Sequence, residues 1–154
     1  MNKKINFLDY NKLIRENLLN VVKQALSKSA DYGLSDGHHF YITLLTKFKG
    51  NVLPEYLAKE YPDNMMIVIE NEYWNLKVKE NCFFVDLKFK GKIETLKIMF
   101  QSLLSFVDPS VSFNLNLDVI NNNKKNIKTN KVKKKKKVEL ENKSNIIYLN
   151  PEKD

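Results

Sequence analysis

Two histidines, one cysteine, two closely spaced glutamates and a run of five lysines are the residues of this 154-residue chain whose types could carry chemistry. His38 and His39 are adjacent, so on a strand they point to opposite faces and are poorly placed to grip one metal ion. No Cys-x-x-Cys or His-x-x-x-His spacing supplies other ligands. The pair reads as a strand entry making local hydrogen bonds. Cys82 could act as a nucleophile beside a histidine. It opens the apolar run CFFVDLKF, however, where an inert, half-buried thiol is the ordinary outcome. With four glycines, no phosphate-cradling loop and no triad pattern, neither a catalytic site nor a cofactor is expected.

Glu70 and Glu72 fall on one side of a continuing strand, with Tyr73 opposite and Trp74 beside it. Paired carboxylates can do acid–base work, but no nucleophile or metal signal accompanies these. Two readings remain: a solvated face with Trp74 in the core, or a peptide groove walled by Trp74 and Phe84. Lys133 to Lys137 would bind phosphate backbones with strong salt dependence. Without arginines or interleaved aromatics, base stacking is not expected from it. A solvated linker is the first reading and weak RNA or acidic-lipid contact the second.

The elements that must position these residues are legible from periodicity. Ile5 to Ala30 predicts one long helix, with Leu8, Leu13, Ile14, Leu18, Val21, Val22, Ala25 and Leu26 at three- and four-residue steps. Arg15, Asn20, Lys23 and Lys28 lie between them, and Gly33 with Ser35-Asp36-Gly37 ends the helix. Its stripe is wide enough to pack on its own sheet or on a second copy. His38 to Phe48 predicts a first strand, Val52 to Glu60 a short helix or turn, and Met65 to Glu70 a buried strand. Tyr73 to Lys79 alternates as another strand. Cys82 to Lys90 and Lys92 to Ile98 flank Lys90-Gly91-Lys92 as a hairpin. Phe100 to Phe106 predicts a short helix stopped at Asp108-Pro109, and Val111 to Val119 the last strand. The order is α+β: an N-terminal helix, then a strongly bent, mostly antiparallel sheet.

Charge divides the chain into parts. The formal net charge is +8, but residues 121–154 hold eleven lysines against four acids and the remainder is near neutral, at +1. The basic character therefore belongs to the tail, which weakens a nucleic-acid reading of the body. About 120 residues are left for one domain with a real core. A single cysteine excludes an intrachain disulfide, and the charged start, MNKKINFLDYNKLIREN, lacks the apolar core of a signal peptide. A soluble cytoplasmic protein is expected.

The tail itself opens as NNNKKNIKTNKVKKKKKVELENKS, which cannot bury a core, and then offers Asn145-Ile146-Ile147-Tyr148-Leu149-Asn150. A disordered, self-repelling tether carrying a docking peptide is expected, with the body as residues 1–120, the linker 121–143 and the peptide 144–154.

Four blocks in order then carry a resemblance: Asp36-Gly37-His38-His39-Phe40-Tyr41-Ile42, Tyr61-Pro62-Asp63-Asn64-Met65-Met66-Ile67-Val68-Ile69, Glu72-Tyr73-Trp74-Asn75-Leu76, and Phe106-Val107-Asp108-Pro109-Ser110-Val111-Ser112-Phe113. Together they resemble SspB of the alphaproteobacterial type, the specificity-enhancing adaptor of the ClpXP protease, over Asp9 to about Val119. The resemblance implies an Sm-like half-barrel and a non-enzymatic homodimer. The dimer contact would be made by the N-terminal helices, here through Leu13, Ile14, Leu18, Val21, Val22 and Ala25. It implies a groove for ssrA-type degradation tags, here expected at Ile67, Ile69, Glu70, Tyr73, Trp74, Phe84 and Phe113. It also implies docking of Asn145, Ile146, Ile147, Tyr148 and Leu149 on the N-terminal domain of ClpX, with Asn150 where the pattern has an acid. Two other readings remain: a small RNA-associated protein using a bent sheet and basic tail, and a small hydrolase using Cys82 with a histidine.

Overall fold

A computed structural model of the chain describes residues 8–34 and 37–117. The expected linker and docking peptide lie outside the described residues. Helix α1 spans Tyr10–Tyr32, later at both ends than the periodicity predicted. Asp9 fixes its start, because its carboxylate accepts from the Lys12 N–H at 3.2 Å and satisfies one orphan donor of the first turn. Gly33, at φ 77°, closes the other end with its N–H donating to the Ser29 carbonyl.

The strands are β1 (Phe40–Leu45), β2 (Asn64–Ile69), β3 (Tyr73–Val78), β4 (Cys82–Phe89), β5 (Lys92–Met99), β6 (Leu103–Asp108) and β7 (Phe113–Asn116), with a short helix α2 (Glu55–Glu60) between β1 and β2. Helix first and antiparallel strands after is the α+β plan expected. The strands form two hydrogen-bonded sets, a four-stranded sheet in the order β2-β1-β6-β7 and a three-stranded sheet in the order β3-β4-β5.

The β4–β5 hairpin forms where expected. Phe89 pairs with Lys92, so Lys90 and Gly91 alone make the turn, at φ 51° and 81°. Two successive positive φ values match the right-handed twist of the flanking strands, and glycine takes the second without strain.

The stretch Phe100 to Phe106 is not a helix. Phe100–Ser102 makes one 3₁₀ turn, and β6 follows in the middle of the four-stranded sheet, with Phe106 opposite Ile42 of β1 and Leu115 of β7. Leu103, Phe106 and Val107 are buried there. Two flanking strands, each offering a full ladder, outweigh the weak helical preference of so short a segment. The last strand is also shorter than predicted, because Pro109–Val111 turns and Ser112 takes φ 56° before β7 begins. Strand β2, predicted as a buried strand over Met65 to Glu70, is buried at alternate residues, Met65, Ile67 and Ile69.

Helix α1 shares one core with residues of both sheets. Leu19, Val22 and Leu26 of α1 meet a core that includes Ile42, Leu44, Phe83, Leu96 and Phe106. Burying each such side chain contributes about 1.5–3 kcal/mol. Arg15, expected on the solvated side, is buried at 6% exposure in line with these residues. Its guanidinium donates to the carbonyls of Leu117 (3.0 Å), Gln101 (2.8 Å) and Leu103 (3.4 Å). Those carbonyls belong to the 3₁₀ turn, the start of β6 and the residue after β7, so Arg15 ties the helix to both of these strands.

Candidate functional site

Among the described residues, β2 is the end strand of the four-stranded sheet and pairs with β1. Alternate residues of such a strand turn their N–H and C=O groups away from the sheet, where an extended chain can pair with them. Its alternation also puts two apolar side chains outside, Met66 at 46% and Val68 at 39% exposure. Beside this edge runs a cleft of about 450 Å³. Met66, Val68 and Glu70 line one wall, the turn Asn71-Glu72 closes an end, and Lys88 and Phe89 of β4 form the opposite wall. Glu70 and Glu72 are both exposed, and Lys88 Nζ lies 3.9 Å from Glu72 Oε1. The cleft thus combines an apolar flank with an acidic end. That set suits an extended peptide rather than a reacting small molecule.

Of the seven residues expected in a groove, Ile67 and Glu70 line this cleft. Ile67 and Ile69 are 1% and 0% exposed, so their side chains support the wall from inside and can offer a ligand only backbone. Tyr73 is drawn inward, its hydroxyl accepting from the Leu34 N–H at 3.2 Å and holding the loop after α1 against β3. Trp74 is 41% exposed on the outer face of the three-stranded sheet, opposite Asp86 and on the same face as Phe84. Asn75, beside the β3 bulge at φ 52°, donates to Asp86 at 2.7 Å there. That hydrogen bond, with a second from Thr95, holds the Asp86 carboxyl below its ordinary range. Phe113 lies on β7, at the opposite edge of the four-stranded sheet from β2, and packs edge-on against Phe106 at 6.3 Å.

Sequence reasoning missed Met66, Val68, Lys88 and Phe89. The available signal was the placement of the six-residue run MMIVIE one residue after Tyr61-Pro62-Asp63. Read as alternating rather than continuous, it puts Met66, Val68 and Glu70 on one outer face.

The helix residues expected at a subunit contact divide in two. Leu13, Ile14 and Val21 are 41%, 49% and 43% exposed, and Leu18 and Ala25 are half-buried beside them. Val22 is 0% exposed within the single chain and has no surface to offer a second copy, because it sits one helical step toward the core.

The histidines make local bonds, and one reaches far along the chain. His39 Nδ1 is 2.8 Å from the Gly37 carbonyl, whereas His38 Nδ1 is 2.6 Å from Asp108 Oδ2. Ser110 donates to Asp108 Oδ1 from both Oγ (2.5 Å) and backbone N–H (3.1 Å), and its Oγ lies 3.2 Å from the same His38 nitrogen. Serine and aspartate share Nδ1, so this is not the relay of a hydrolase, in which they use opposite ring nitrogens. Burial pushes the Asp108 carboxyl up, but the Ser110 and His38 hydrogen bonds and the imidazole's charge outweigh it, and it titrates below the ordinary range. The arrangement ties the entry to β1 to the turn after β6.

Cys82 is buried at the start of β4 opposite Met99, in the other sheet from β1, the strand that His38 precedes. Among the described residues, no three His, Cys, Asp or Glu side chains gather as a metal site, and no helix is long and apolar enough to cross a membrane.

A family model described as SspB, Stringent starvation protein B, matches residues 12–153. No curated protein matches the chain.

Proposed function

The chain belongs to the stringent starvation protein B family, whose role is that of a protease adaptor, and from that premise we propose that it delivers ssrA-tagged polypeptides to the ClpX unfoldase of ClpXP. The observation that carries this reading is the cleft along β2, with the apolar side chains of Met66 and Val68 exposed beside it. A degradation tag is an extended peptide, and an edge strand holds such a ligand through main-chain pairing while side chains along the wall select its residues. Met66 and Val68 supply apolar contacts, and Glu70 and Glu72 favour a basic or amide-bearing tag residue at their end.

No bond is made or broken in this mechanism. The cleft retains the tag while Ile146, Ile147, Tyr148 and Leu149 engage the ClpX N-terminal domain. The linker then converts delivery into an encounter at an effective concentration on the order of millimolar. Pairing of two chains through the strip of Leu13, Ile14, Leu18, Val21 and Ala25 would give one assembly two tails. The work takes place in the cytoplasm and calls for no cofactor.

Fluorescence polarisation with a labelled ssrA-tag peptide tests the cleft. The natural chain is expected to bind, and Val68→Asp to lose at least tenfold in affinity. Deleting Ser144 to Asp154 tests the tether: it is expected to abolish accelerated degradation of a tagged substrate. Undiminished delivery by that truncated chain would refute the mechanism.

A further inference from the structure

We propose that the outer face of the three-stranded sheet binds single-stranded RNA, at a site separate from the β2 cleft and independent of its reading as a tag groove.

The face is built from alternate residues of three strands. Phe83 and Val85 of β4 and Leu96 and Ile98 of β5 are buried in the core, so the residues between them point outward. On that outer side Phe84 is paired with Lys77 of β3 in one direction and Lys97 of β5 in the other. The next row holds Trp74, which is 41% exposed, opposite Asp86. Strand geometry sets the spacing. Each lysine backbone stands about 4.8 Å from that of Phe84, and Trp74 lies one strand across and two residues along, about 8 Å away. Two neighbouring aromatic rings with a cation on either side make a stacking platform. The rings take successive bases by their faces and the ammonium groups take the phosphates between them.

Charge selects the occupant. Residues 1–120 are near neutral as a whole, yet the row Lys77–Phe84–Lys97 carries two cations and no acid. Among the described residues neither lysine forms an ion pair within 4 Å. Asp86, in the row of Trp74, accepts from Asn75 at 2.7 Å. Its carboxylate turns phosphates toward the two lysines and accepts from the exocyclic amino group of a cytosine stacked on Trp74. Asn75 gives its amide N–H to Asp86, which leaves its carbonyl oxygen beside Trp74 to accept from a ribose 2′-hydroxyl, the group that distinguishes RNA from DNA. The lysine run at 133–137 has no aromatic residue within it, so stacking is the contribution of the sheet.

Trp74 is the chain's single tryptophan, so its emission reports on this face alone. Titrating the full natural chain with an oligocytidine RNA of about ten nucleotides is expected to quench that emission saturably. In polarisation with the same RNA end-labelled, Trp74→Leu is expected to lose about fivefold or more in affinity and Trp74→Phe to recover most of it. Lys77→Gln/Lys97→Gln is expected to lower the slope of log affinity against log salt by about 1.4, at about 0.7 per phosphate contact. RNA binding that leaves Trp74 emission unchanged belongs to the lysine run and would overturn the proposal, as would an absence of RNA binding. Equal quenching by the matching deoxyoligomer, by a polyglutamate peptide or by an ssrA-tag peptide would overturn it too, because each assigns the face to another ligand.

Discussion

Replacing Arg15 with methionine removes its donors while keeping a long side chain along α1. To carbonyls of the described residues the guanidinium makes two short hydrogen bonds, to Gln101 at 2.8 Å and Leu117 at 3.0 Å, and a long one to Leu103 at 3.4 Å. Hydrogen bonds to a charged group contribute about 1.5–3 kcal/mol each. The long bond adds little, and the Gln101 carbonyl is near enough to the surface to recover water. The expected loss is therefore about 3–4 kcal/mol, a large share of the ~5–15 kcal/mol typical of a whole domain. For a domain of this size that lowers Tm by roughly 12–16 °C at about 4 °C per kcal/mol. Urea and thermal unfolding followed by circular dichroism would measure both. Arg15→Lys keeps the charge but not the forked donor set, and is expected to recover less than half. Lys23→Met removes only an exposed 3.1 Å bond to the Glu80 carbonyl and is expected to stay within about 0.5 kcal/mol. A loss below about 1 kcal/mol for Arg15→Met would refute the view that this side chain holds the ends of β6 and β7 to the helix.

Asp108 titrates below the ordinary carboxylate range in the fold, so the stability it contributes is present above about pH 4 and is lost as pH falls through its folded pKa. Asp108→Asn should therefore flatten the fall of the urea midpoint on acidification below pH 4, and an unchanged slope would contradict the His38–Asp108–Ser110 account. Gly50 has φ 101°, and a Cβ there would lie 2.8 Å from both Cγ and Sδ of Met99. Gly50→Ala is expected to cost about 1–3 kcal/mol by chemical denaturation, with Met99→Ala relieving only the contact and not the dihedral. In analytical ultracentrifugation the natural chain is expected to sediment as a dimer and Ile14→Glu/Val21→Glu as a monomer with an unchanged urea midpoint. A monomeric natural chain at tens of micromolar would remove the proposed helix contact.

The parts of this fold that a sequence exposes are those decided locally. Lys90-Gly91 fixed a hairpin because both positions need positive φ, and Gly33 stopped the helix for a similar reason. Leu103 to Asp108 was opaque for the opposite reason. Phe100, Leu103, Leu104 and Phe106 satisfy helical and extended spacing equally well over seven residues, and only the ladders to β1 and β7 decide between them. Arg15 was misplaced because a charge signals solvent until a cluster of backbone carbonyls is known to meet it. The cleft was half legible. Glu70 could be placed from strand parity, but Lys88 and Phe89 come from another sheet, and a pairing across 20 residues leaves no periodic trace.

The hydrogen bond from Arg15 to Leu117 also bears on mechanics. Traction applied through residues beyond Leu117 enters the fold at that carbonyl and at the Leu117 N–H bonded to Leu104, then at Asn116 opposite Ser105. From there an antiparallel edge strand of four residues would be peeled one pair at a time, the weakest direction in which to load a sheet. A guanidinium anchored in α1 stands ahead of that seam, so a pulled tail strains the helix and the core before the seam starts to open.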